Sequence, residues 1–174
     1  MSRPAVMLAG IPIASASGRA DTGYSTEGGW TDVRLSGGKL YRMTHWSKES
    51  IRLSGSGWMG PGFAAVDFSQ PQELWLADPK SMAGRTAADR VFTLTSDVRP
   101  DFPPIGLALV GRDWERTGVS LAGRVATLDP LPGATAYRVH WLPRYLVFCS
   151  PPEEAITGTA GGGQFDWQFT AREV

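Results

Sequence analysis

Apolar and polar residues alternate along this chain in short runs with a period of two, the repeat of a β-strand. Over Lys39–Trp46, Tyr41, Met43 and His45 fall on one side, and Leu40, Arg42, Thr44 and Trp46 on the other. Tyr137, Val139 and Trp141 alternate with Ala136, Arg138, His140 and Leu142. Phe165, Trp167 and Phe169 alternate with Asp166, Gln168 and Thr170. Further strands are predicted near 30–35, 50–54, 63–68, 73–77, 91–95, 105–110, 117–121, 124–128 and 145–149. Turn signals separate many of them, among them Gly37-Gly38, Gly60-Pro61-Gly62, Pro103-Pro104, Gly111, Gly123 and Pro132-Gly133.

The helical period is missing. Glycine and proline together make 34 of the 174 residues and are spread throughout. In a helix interior glycine costs about 1 kcal/mol and proline about 3. The best helix candidate is a short turn around Lys80–Asp89, which contains Gly84. Many short strands at intervals of about 8–12 residues predict an all-β fold, a sandwich or barrel. The proline-rich stretch Val98–Pro104 reads as a hinge between two small β domains, at 1–98 and 99–174, the second immunoglobulin-like. Gly158–Gly163 reads as a flexible connection before the last strand.

Arg3, the apolar segment Ala5–Ala14 and the small residues Ser15-Ala16-Ser17 imitate a secretory signal. Pro4 and Pro12 punctuate the run, so the expectation is a retained strand over 5–13 at a sheet or subunit edge. No apolar stretch approaches the roughly 18 residues that cross a bilayer as a helix. Seventeen basic and 17 acidic residues cancel, which removes any global field toward nucleic acid or an anionic membrane. Fourteen of the basic residues are arginine, whose planar fork suits interface hydrogen bonding. The lone Cys149 lies in the apolar run Tyr145–Cys149 and reads as a buried, inert thiol.

Candidate chemistry is sparse. Gly55-Ser-Gly-Trp-Met-Gly60 matches G-x-G-x-x-G, but that motif works by opening a helix whose amides hold a pyrophosphate, and Pro61-Gly62 follows at once. His45 and His140 lack ligand-spaced partners. No G-x-S-x-G elbow supports a serine nucleophile. Asp67, Glu73 and Asp78 share one region, as a pair of hydrolytic carboxylates would, and so do many unrelated acids. No catalytic residue, metal ligand or cofactor is assigned. Of seven tryptophans, Trp75, Trp141 and Trp167 sit in apolar alternation and read as core. Trp58, between glycines in Ser54–Gly62, reads as presented on a loop to a partner.

Two segments stand out, Leu40-Tyr-Arg-Met-Thr-His-Trp-Ser-Lys48 and Ile51-Arg-Leu-Ser-Gly-Ser-Gly-Trp58-Met-Gly-Pro-Gly-Phe63-Ala-Ala-Val-Asp67-Phe. Together they resemble a recurrent stretch in small tail-tip proteins of long-tailed bacteriophages. The shared elements are W-x-K, S-G-S-G-W, P-G and L/V-D-[FY] in that order, over roughly residues 30–80. The resemblance implies a structural minor tail protein in the virion. Its partners would be other tail proteins and copies of itself in a three- or six-fold ring, with Trp58, Met59, Trp46, Arg52 and Phe63 at the interface. Separately, Val125–Trp141 is similar to the second and third strands of fibronectin type III domains, with Leu128 where tryptophan is usual. The 33 residues after Trp141 are few for four more strands of about 5–6 residues with their turns, so a sandwich of fewer strands is expected.

Two other functions compete with the structural one. A carbohydrate-binding module would use Trp58 and Trp46 as stacking platforms for host surface glycans. A cell-wall hydrolase would need the carboxylate pair.

Overall fold

Alternation of apolar residues, with glycine and proline barring helix, leaves the backbone to pair between strands. The computed structural model describes residues 4–159 and 162–174, and these contain no α-helix. β1 (Met7–Leu8) and β2 (Ile11–Pro12) lead through a 3₁₀ turn at Ser15–Ser17 into the longest pair, β3 (Asp21–Arg34) and β4 (Leu40–Gly57). Short strands follow: β5 (Gln72–Trp75), β6 (Lys80–Ala83), β7 (Val91–Thr93) and β8 (Asp97–Val98). Then come β9 (Ile105–Val110), β10 (Asp113–Thr117), β11 (Val119–Ala122), β12 (Val125–Leu128), β13 (Ala134–Trp141) and β14 (Pro143–Cys149). A hairpin of β15 (Glu153–Thr159) and β16 (Gly162–Glu173) ends the chain. The fold is all-β, and the ladders β3–β4, β4–β16, β7–β12, β9–β10 and β9–β13 are antiparallel.

The chain forms two compact units interleaved along the sequence. Among the described residues, one takes 4–7 with Leu74–Tyr145, and the other takes Leu8–Glu73 with Leu146–Val174. The expected division at 98/99 falls inside the first unit. Its sandwich places the sheet β10-β9-β13-β6 against the sheet β11-β12-β7. Phe92, Leu94, Ala108, Ala126, Leu128, Tyr137, Val139 and Trp141 fill the space between them. Leu128 is fully buried there. Trp141 Nε1 donates to Ser96 Oγ at 2.9 Å, and Tyr137 Oη accepts from the Leu131 N–H at 2.9 Å. β13 pairs with β9 on one side and β6 on the other, both earlier in the chain.

Within the Val98–Pro104 stretch, Arg99 ties the backbone to its surroundings. Arg99 is buried, and its guanidinium grips Asp101 with two hydrogen bonds of 2.9 and 2.8 Å. Its third nitrogen donates to the carbonyls of Ala5 (2.8 Å) and Leu76 (3.0 Å), and the plane lies over Trp75. A buried charge is tolerated when hydrogen bonds and a counter-charge satisfy it in this way.

In the second unit β4 lies between β3 and β16, with β15 on the far side of β16. Ile51 and Leu53 of β4 face Ala171 and Phe169 of β16, and all four are buried. Phe63 packs edge-on against Phe169 at 5.8 Å.

Three local expectations are corrected. Residues 63–68 form turns, because Asp67 Oδ1 accepts from the Ser69 N–H and hydroxyl and folds the backbone locally. Lys80–Asp89 is strand then turn, with the Asp89 carboxylate accepting from the amides of Arg85 and Thr86. The single strand over 5–13 is two strands, β1 and β2, reversed at Ala9-Gly10, whose φ values of 52° and 79° are left-handed.

Candidate interaction surface

The β3–β4 ladder runs from Asp21↔Ser54 to Arg34↔Leu40, but β16 accompanies β4 only as far as Ser50. Beyond that point the hairpin continues as a two-stranded arm of about 30 Å, at roughly 3.4 Å per residue. From Leu40 to Lys48 every residue of β4 is exposed.

A β-bulge sets what the arm displays. Gly29 pairs with Trp46 and Trp30 with Thr44, so His45 is the extra residue. Strict alternation puts Trp46 with Arg42. The bulge flips it to the face of Met43 and Tyr41, joined from β3 by Val33. Gly29 makes room, since a Cβ there would come within 2.5 Å of Trp46 Nε1. The result is an apolar row of Val33, Tyr41, Met43 and Trp46, whose exposures run from 39% to 57%. The opposite face carries Trp30 and a bidentate Asp32–Arg42 pair, both contacts 2.6 Å. Hydrogen bonds from Arg42 hold the Asp32 carboxyl below its usual range. At the tip, Leu35 N–H donates to Lys39 O at 3.0 Å, and Gly38 takes a left-handed φ of 77°.

The glycine–tryptophan loop lies at the other end of this ladder. Trp58 is 68% exposed while its own N–H donates to Ala16 O at 2.9 Å, and Met59 beside it is exposed too. Gly55 and Gly57 serve the interior: Cβ atoms there would lie 2.4 Å from the Trp167 ring and 2.3 Å from Ala16 O. The G-x-G-x-x-G stretch therefore ends a strand, with no helix following to hold a phosphate. Arg52 is exposed and donates to Gln168 Oε1 at 2.5 Å. Phe63 is fully buried, so of the five expected interface residues it is the one withheld from a partner. It fills the core because the turn after Gly62, at φ 81°, drives its ring onto Phe169.

Beside this loop is a cleft of about 470 Å³ that Asp21, Glu153, Glu154, Asp166 and Gln168 help to line. A Cβ at Gly60 would sit 3.4 Å from Glu154 Oε2, so the loop runs along the cleft's edge.

Among the described residues no three His, Cys, Asp or Glu side chains gather as a metal site. His45 is exposed on the arm. His140 is half-buried, and burial followed by the Arg138 charge lowers its pKa. Burial alone pushes the Cys149 thiol up to about 12. Asp67 is engaged by Ser69. Trp141 and Trp167 are core, as expected, and Trp75 lies half-buried under Arg99. No protein-family model and no curated protein sequence matches the chain.

Sequence reasoning missed the arm as a unit, the acidic cleft and Arg99. The arm had a signal: two apolar-rich strands meeting at Gly37-Gly38 read as a hairpin. The other two depend on residues brought together from distant segments.

Proposed function

We propose that this chain is a structural subunit of a long-tailed bacteriophage tail, joined to its neighbours at or near the tip by protein–protein contacts. The observation that supports this reading is the arm. Monomeric proteins rarely leave a contiguous apolar patch of more than a few hundred Å² in water, and here four large apolar side chains stand about half-exposed on one face of the hairpin. Half-exposed as they are, covering them yields about 1 kcal/mol each, on the scale of 1.5–3 kcal/mol for full burial. Trp58 and Met59 supply a second anchor, and Arg52 and Trp46 complete the interface set. The partners are other tail proteins and further copies in a three- or six-fold ring, in the virion tail. Catalysis has no part in this reading.

Mass spectrometry of purified virions, with antibody labelling under the electron microscope, tests the proposal. The chain should be present at a fixed copy number and localise to the tail. Virions lacking it, or label spread over the capsid, would sink the reading.

One observation favours the alternative of a glycan-binding module: an exposed indole stands beside a polar, acidic cleft. Titration of tryptophan fluorescence with host surface sugars separates the two. A saturable change lost in Trp58→Ala supports glycan binding.

A further inference from the structure

We infer that the arm of one copy docks, tip first, against the acidic cleft and Trp58 loop of a second copy, so that the chain assembles head to tail. The inference rests on the assembly reading above and names the partner.

Three observations carry it. The first is charge. Residues 33–41 at the arm's end hold Arg34 and Lys39 and no acid, whereas the cleft is lined by Asp21, Glu153, Glu154 and Asp166 and, among the described residues, by no base. The chain's zero net charge thus conceals two poles of opposite sign. The second is apolar matching. The cationic tip continues into the Val33, Tyr41, Met43 and Trp46 row, and the cleft's edge continues into exposed Trp58 and Met59. A charged contact flanked by aromatic anchors is the make-up of a specific interface.

The third is geometry. Asp21↔Ser54, at the cleft, and Arg34↔Leu40, at the tip, are opposite ends of one ladder. Thirteen residues of strand separate them, about 44 Å at 3.4 Å per residue. A rigid ladder cannot bring its own tip to its own cleft, so each copy offers one donor and one acceptor. Such a contact is heterologous: repeated, it closes into a ring or runs on as a filament.

Sedimentation velocity on the full chain tests this with paired charge reversals. Arg34→Glu with Lys39→Glu makes the tip acidic, and Glu154→Lys with Asp166→Lys makes the cleft basic. Each double variant should keep the wild-type circular dichroism and self-associate about tenfold or more weakly. Mixed in equal amounts they should associate again, because each tip then matches the other's cleft. Raising salt should weaken the wild-type oligomer. Wild-type association in either variant, or failure of the mixture to recover, overturns the inference. A wild-type chain that stays monomeric at tens of micromolar, yet is recovered in purified virions, also overturns it while leaving the assembly reading intact.

Discussion

Replacing Gly55 with alanine separates two explanations of the glycine–tryptophan loop. If the glycines exist to let a neighbouring molecule approach, one methyl group leaves the isolated subunit's stability unchanged. The structure assigns Gly55 a different task. A Cβ there would lie 2.4 Å from Cζ2 and 2.7 Å from Cε2 of Trp167, a ring that is 2% exposed. That ring stacks on Phe169 at 6.1 Å and donates from Nε1 to Ser17 O at 2.7 Å. Relief of the clash needs a shift of about 1 Å, which forces strain of about 1–3 kcal/mol on a packed core. Losing the buried indole hydrogen bond adds about 1–3 kcal/mol. Gly55→Ala should therefore cost about 2–6 kcal/mol by urea denaturation. Two controls sit in the same loop. A Cβ at Gly60 meets only the Glu154 carboxylate at 3.4 Å, so alanine there should be nearly neutral. Gly62 has open space but a φ of 81°, so alanine should cost about 1–2 kcal/mol, from backbone conformation alone. A Gly55→Ala subunit within about 0.5 kcal/mol of wild type, the usual range of surface changes, would refute the packing argument.

Arg99→Met should destabilise the fold by about 1–3 kcal/mol in the same assay, since it orphans the buried acceptor Leu76 O; a change under about 0.5 kcal/mol would show that water replaces the guanidinium. Cys149, with its thiol at about 12, should ignore a thiol-specific reagent at pH 8, where only ~10⁻⁴ of it is thiolate, and react once the protein is unfolded. Fast modification of the native protein would contradict its burial. Stability should also fall with acid in two stages. His140 has a folded pKa below its ordinary 6.5, so the unfolded chain binds more protons just below that pH and stability declines as pH drops. Asp97 and Asp101, lowered chiefly by hydrogen bonds from Arg124 and Arg99, give stability that is present above 3.8 and lost as pH falls through their folded values. Melting temperatures that stay flat from pH 7 to 3 would contradict both stages, and His140→Gln should flatten the upper one.

What the sequence discloses and what it conceals divide along a physical line. The strands at 105–110, 125–128, 134–141 and 143–149 are legible because a half-buried strand writes its inner face directly as every second residue. Tyr137, Val139 and Trp141 are predicted on one face and found in one core. At 63–68 the same rule misleads. Phe63, Val66 and Phe68 supply the composition of a strand, but Asp67 offers the backbone a local partner, and the turn wins. Trp46 shows the limit more sharply. Its face depends on whether His45 is counted in the ladder, and only the pairing with β3 decides that.

Gly55 and Arg99 depend on still more distant partners. The first is fixed by Trp167, on a strand near the other end of the chain, and the second by a carbonyl at Ala5. Each looks, in sequence, like a residue free to serve a partner or a hinge: a glycine in a loop-like motif, an arginine beside prolines. Both are structural because antiparallel pairing across the chain brought a ring or a carbonyl against them. The arm is the opposite case. Its apolar residues look, in sequence, like half of a core, and the structure leaves them without the other half. A residue's type therefore states what contact it needs, and topology decides whether its own chain supplies that contact. Where it does, as at Trp167, substitution should be read in stability. Where it does not, as at Tyr41, Met43 and Trp46, substitution should leave stability near wild type and be read in assembly.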